Sequence, residues 1–130
     1  MNKKIVIAGL LGALGIGLGA FGAHGLKPLL SVHDLANYKT GVSYQMLHVV
    51  VLLVLSLLGA HQSKLINSAF WAFTLGIILF SGSLYLLSTH EILGLTNWKW
   101  LGPITPLGGL SLIVGWVLLM VYGLRQNTKQ

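Results

Sequence analysis

The chain has 130 residues, 55% hydrophobic and only 8% charged; soluble domains carry about 25% charged residues, so a water-soluble fold and a disordered chain are both excluded. The formal charge of +6 does not point to nucleic acid, because the eight Lys and Arg stand singly between apolar runs and form no binding stripe. With no cysteine, there is no disulfide frame, thiolate metal site or thiol nucleophile.

The reading is all-α: an integral membrane bundle of four transmembrane helices in a single domain, residues 1–130. The first span covers about residues 5–26, IVIAGLLGALGIGLGAFGAHGL, long enough to cross the hydrocarbon core at about 1.5 Å per residue. Lys3, Lys4, Ala20 and Gly22 match parts of a cleaved signal peptide. The apolar run is longer than a signal core, however, and its glycines repeat as a packing pattern, so a retained span is expected. Small residues lie in two neighbouring stripes. One is Ala8, Gly12, Gly15, Gly19 and Gly22; the other is Gly9, Ala13, Gly17, Ala20 and His24. Small residues let helices approach closely in lipid, where hydrophobic drive between helices is weak. So wide a small sector predicts that this helix touches more than one neighbour. A phosphate-loop reading of GALGIG fails, because the motif sits inside a span and follows no strand.

Gly25 and Pro28 end the first helix. Ser31 to Tyr38 is expected to form a short interfacial amphipathic helix, with Val32, Leu35 and Ala36 on one face. The second span, about residues 41–60, carries Tyr44, Gln45 and His48. Asn67 or Ser68 is the expected cap of the third span, about residues 69–87, where Thr74, Ser81, Tyr85 and Ser88 share one side. Trp98 and Trp100 suit a membrane interface. Thr105 is the expected cap of the fourth span, about residues 106–124, with Pro106 in its first turn. Gly108 and Gly109 supply small packing positions there. Lys3, Lys4, Lys64, Arg125 and Lys129 fall on one side, and Lys27, Lys39 and Lys99 on the other. The basic excess places both termini on the cytoplasmic side of the cell membrane.

This topology gathers His24, Tyr44, Gln45, His48, Ser81, Ser83, Tyr85 and Thr105 toward the extracytoplasmic half. Polar groups in lipid need partners. Two readings stay open. These residues are either a hydrogen-bonded clasp that fixes helix packing, or a polar site for an ion, a small solute or a headgroup. His24 and His48 could face each other, but there is no HxxxH pair and no carboxylate within a span. No metal or cofactor is therefore expected. Nor is an enzyme: there is no GxSxG elbow, and Asp34 is the sole aspartate.

Five motifs occur in order: GAFGAHGL (19–26), YQMLH (44–48), LFSGSLY (79–85), TPLGG (105–109) and GW (115–116). Together they resemble the YgdD/YwdK-like family of small four-helix membrane proteins, a domain-of-unknown-function family. The resemblance covers nearly the whole chain. It implies a four-span inner-membrane protein without an established activity, so no residue role is inherited from it. The first expectation is a structural or accessory membrane component, embedded in membrane lipids and associating with itself or with a membrane-protein partner. The alternative is a small channel, carrier or lipid-binding protein that uses the polar cluster.

Overall fold

The computed structural model describes residues 1–58 and 63–127. Four helices are long and apolar enough to cross a membrane. They are α1 (Lys3–Leu26), α2 (Val32–Leu57), α3 (Lys64–Thr89) and α4 (Ile104–Asn127). There is no strand among the described residues. The expected end of the second span near residue 60, and the tail residue Lys129, lie outside the described residues.

The helix ends correct three expectations. Ser31 to Tyr38 is not a separate helix: α2 runs unbroken from Val32 to Leu57. At 26 residues it rises roughly 39 Å, more than a hydrocarbon core of about 30 Å, so its first turns reach into the interface. A glycine within a helix costs about 1 kcal/mol relative to alanine, too little for Gly41 to break it. Ser31 caps α2, its hydroxyl accepting from the Asp34 N–H at 3.1 Å. The cap of α3 is Ser63, in extended conformation and accepting from the Ile66 N–H. Asn67 and Ser68 fall inside that helix, and the Asn67 side chain accepts from Lys4 Nζ at 2.6 Å. Thr105 does not cap α4; it lies in the first turn and its hydroxyl pairs with Ser83.

Beyond α3 the chain turns at Gly94, the one described residue with positive φ (65°). Leu95 N–H donates to the His90 carbonyl and Gly94 N–H to the Glu91 carbonyl. These are the paired bonds of a glycine-terminated helix end. No atom would obstruct a Cβ at Gly94. Gly94→Ala is thus expected to cost only the left-handed backbone strain, about 1 kcal/mol, read as a small drop in detergent melting temperature.

The helices pack serially: α1 along α2, α2 against α3, and α3 along α4. The central pair is α2 and α3, with 39% of their most apolar stretches buried, against 17% for α1 and α4. On α2 the buried positions Tyr38, Gly41, Gln45, His48, Leu52 and Leu55 alternate in steps of three and four and make one inward seam, with Val49 and Ser56 buried beside it. Leu52 and Leu55 meet Ile66, Phe70 and Phe73 of α3 in the apolar core. On α1 the stripe of Ala8, Gly12, Gly15, Gly19 and Gly22 faces α2. A Cβ on Gly12 or Gly19 would stand 3.2 Å from Val49 or Val42, and one on Gly22 would strike the Tyr38 ring. On the second stripe there is open space around Gly9 and Gly17 among the described residues. The contact of α1 with more than one neighbour comes instead from its first turns, where Ala8 packs in one cluster with Phe70 of α3. Lys4 reaches α3 as well, bonding Asn67 and lying over the Phe70 ring.

Candidate functional site

Polar side chains collect where the start of α2, the end of α3 and the start of α4 adjoin, at the end of the bundle away from both termini. Gln45 is 3% exposed and links three helices. Its Nε2 donates to the Leu11 carbonyl of α1 at 2.7 Å, and its Oε1 accepts from the Tyr85 hydroxyl of α3 at 2.6 Å. One turn away, the Ser81 hydroxyl donates to the Gly41 carbonyl at 2.6 Å. Tyr38 continues the seam: its hydroxyl donates to the Leu18 carbonyl at 2.6 Å, and its ring lies 5.1 Å from that of Tyr85.

Two widened π-type turns flank this cluster, Gly22–Leu26 on α1 and Ile77–Ser81 on α3. Such turns shift the register of the side chains that follow them, and they recur at functional sites. The first lies beside Tyr38, through Gly22. The second ends at Ser81 and carries Phe80, whose ring packs 4.6 Å from Tyr44.

His48 faces the other side of the seam and is 3% exposed. Its Nδ1 lies 2.7 Å from the Tyr44 carbonyl. A carbonyl only accepts, so Nδ1 carries the hydrogen. Nε2 is then the acceptor for the Trp116 indole N–H of α4 at 3.2 Å. The Phe73 ring closes over the imidazole at 5.4 Å. Ser83 and Thr105 form a separate α3–α4 pair at 2.6 Å, and the Ser111 hydroxyl of α4 donates to the Ala72 carbonyl at 2.7 Å.

Of the residues expected to meet, Tyr44, Gln45, His48, Ser81 and Tyr85 share one neighbourhood, with Ser83 and Thr105 beside it. His24 does not join them. It belongs to the stripe of α1 that turns from α2, and it is exposed. The reading of His24 opposite His48 is therefore corrected. Tyr38 and Trp116 are the members that sequence reasoning missed. The three-and-four spacing from Tyr38 to Gln45 would have revealed Tyr38 had α2 been read through Gly41. Trp116 belongs to the GW motif, but nothing local points to its partner, which lies 68 positions away. Among the described residues no group of His, Asp or Glu is placed to hold a metal ion.

Beside His48, α2 and α4 stand apart: no part of their backbones comes close. A lateral groove of about 570 Å³ separates them, lined by Tyr44, Leu47, Phe80, Pro106, Gly109 and Ile113 among others. Gly109, expected to serve packing alone, lines this groove, with a Cβ position 3.7 Å from the Phe80 ring.

Residues 18–109 match the sequence profile of a family described as "Protein of unknown function (DUF423)". The chain is 43% identical over 120 residues to the UPF0382 membrane protein SAB0533 of Staphylococcus aureus (strain bovine RF122 / ET3-1), covering 92% of this chain and 93% of that one. It is 42% identical over 122 residues to the UPF0382 membrane protein YwdK of Bacillus subtilis (strain 168), covering 92% and 94%. No solved structure matches significantly. A profile match across most of the chain, together with relatives aligned almost end to end, makes this small membrane protein a member of the DUF423 (UPF0382) family.

Proposed function

We propose that this is a structural or accessory component of the cell membrane, with both termini cytoplasmic, and that its polar cluster is a clasp rather than a solute site. The observation that carries this reading is Gln45, whose amide bonds α1 and α3 at once. The neighbouring groups are likewise turned on one another: Ser81 on Gly41, Tyr38 on Leu18, His48 on Trp116. Interhelical hydrogen bonds of this kind stabilise membrane bundles by about 0.6 to 1.7 kcal/mol each. Their interlock supports a frame held in one geometry, presented to membrane lipid and to a membrane-protein partner or second copy.

Tyr38→Phe and His48→Phe test the reading. Each is expected to lower the detergent melting temperature, by about 0.6 to 1.7 kcal/mol of stability. Ion leakage from reconstituted vesicles should stay at the level of the unmodified protein. A variant that keeps its melting temperature but loses a flux or a copurifying species would replace the clasp with a site.

A further inference from the structure

We propose that a proton and the Trp116 indole compete for one lone pair, that of His48 Nε2, so that proton uptake by His48 releases the joint between α2 and α4. The inference rests on the clasp reading in one respect, that the His48–Trp116 bond is a joint of the bundle.

A neutral imidazole offers one N–H and one lone pair. In His48 the N–H is on Nδ1, held by the Tyr44 carbonyl at 2.7 Å. The Nε2 lone pair is therefore where a further proton must add. That lone pair already accepts the Trp116 indole N–H at 3.2 Å. Indole nitrogen donates and cannot accept, and an imidazolium donates from both nitrogens. Two N–H groups facing each other do not pair. Uptake of one proton from water forms an Nε2–H bond and ends the hydrogen bond to Trp116, with no other bond made or broken.

The surroundings can receive the charged form. A cation within a membrane span is costly unless protein groups face it. The Tyr44 ring is stacked on the imidazole at 6.1 Å, and the Phe73 ring lies at 5.4 Å, about the reach of a cation–π contact. The bond from Nδ1 to the Tyr44 carbonyl becomes charge-assisted in the imidazolium. Tyr44 is the one titratable group set against His48. The rings brought by α3 and α4 are Phe73 and Trp116, and the groove beside them is lined by no carboxylate, lysine or arginine. No fixed charge locks the imidazole in either form, so the proton concentration decides. Tyr44, 44% exposed and one turn nearer the membrane interface, marks the way in.

The release is confined to one joint. The backbones of α2 and α4 do not meet, and His48–Trp116 is the one hydrogen bond between these helices among the described residues. Meanwhile α4 stays on α3 through Ser83–Thr105, Ser111 with Ala72, and Gly115 against the Phe73 ring. The Trp116 ring is 47% exposed and has room to swing aside. Protonation therefore parts α2 from α4 and leaves the Gln45 joints to α1 and α3 in place.

The test is nuclear magnetic resonance on the full chain in detergent micelles, with nitrogen-15 in the imidazole and indole rings. The Trp116 indole signal is assigned by its loss in Trp116→Phe, and the His48 imidazole by its through-space contact with the Phe73 ring. From about pH 8 to about pH 5, the range in which histidine ordinarily changes charge, His48 is expected to pass from the Nδ1–H form to the doubly protonated one. The Trp116 indole proton should move upfield over the same pH interval, as a donor losing its acceptor does. His48→Gln keeps an acceptor for Trp116 without a titratable ring, and should leave the indole signal in its bonded position throughout. An imidazole that keeps a single proton down to about pH 5 in folded protein would overturn the proposal. So would a doubly protonated imidazole beside an unmoved indole signal, an indole shift that persists in His48→Gln, or unfolding before His48 gains its second proton. The paired transitions are read in the unmodified protein, so a failure of His48→Gln to fold does not remove the test. The clasp is read apart from this, at about pH 8, by the melting temperature of Tyr38→Phe, whose bond to Leu18 contains no group that titrates over this interval.

Discussion

Gly108→Ala is expected to be the most damaging single-methyl change in the protein. A Cβ there would stand 2.7 Å from Phe80 Cα and 2.8 Å from the Leu79 carbonyl carbon, besides striking the Phe80 backbone nitrogen. A backbone cannot rotate aside as a side chain does, so relief requires α4 to move off α3. That movement stretches the Ser83–Thr105 pair and the Ser111 bond to Ala72. Overpacking costs typically 1–3 kcal/mol, and the absence of a yielding side chain places this case at about 3 kcal/mol. Adjacent Gly109 is the control. Its Cβ would make only ordinary contact, 3.7 Å from the Phe80 ring, so Gly109→Ala should be within about 0.5 kcal/mol of the unmodified protein. Detergent thermal unfolding of the two alanine variants decides the matter. Equal melting temperatures would show that the close approach of α3 and α4 at the π-type turn is wrong.

Gln45→Leu is expected to cost about 2 kcal/mol. The substitution keeps most of the volume but removes the donor to Leu11 and the acceptor for Tyr85. Each interhelical bond contributes on average about 0.6 kcal/mol, with single cases near 1.7. The Tyr85 hydroxyl is then left unpaired, and a buried orphan donor costs about 1–3 kcal/mol. Tyr85→Phe removes that orphan. The double variant should therefore be less destabilised than the sum of the single ones, with a coupling of about 1 kcal/mol in a double-mutant cycle. Strict additivity would show that the 2.6 Å contact is not the joint between α2 and α3. Retained stability in both single variants would remove the basis of the clasp.

Much of this architecture is written in local chemistry. Four apolar runs of spanning length, the stops at Gly25 and Pro28, and the side of α1 bearing Gly12, Gly15, Gly19 and Gly22 follow from hydropathy and the 3.6-residue period. The gathering of Gln45, Ser81 and Tyr85 at the end away from the termini follows from antiparallel spans. The cap of α3 was less legible, because Ser63, Asn67 and Ser68 all have capping chemistry. The helix starts at the first of them, where Ser63 is extended and accepts from the Ile66 N–H.

Composition and periodicity by themselves determined that the chain lies in a membrane, that it crosses four times, and which residues carry polar groups into the spans. Tertiary structure alone decided which of the two small stripes of α1 meets α2, that His48 bonds Trp116, and that a slot stays open between α2 and α4. The reason is that these depend on the rotation of each helix about its axis. Rotation is set by long-range approaches, of Gly108 to the Phe80 backbone and of Gly115 to the Phe73 ring. The partners of Gln45, Ser81 and Tyr38 include backbone carbonyls, which every residue possesses and no side-chain pattern can single out.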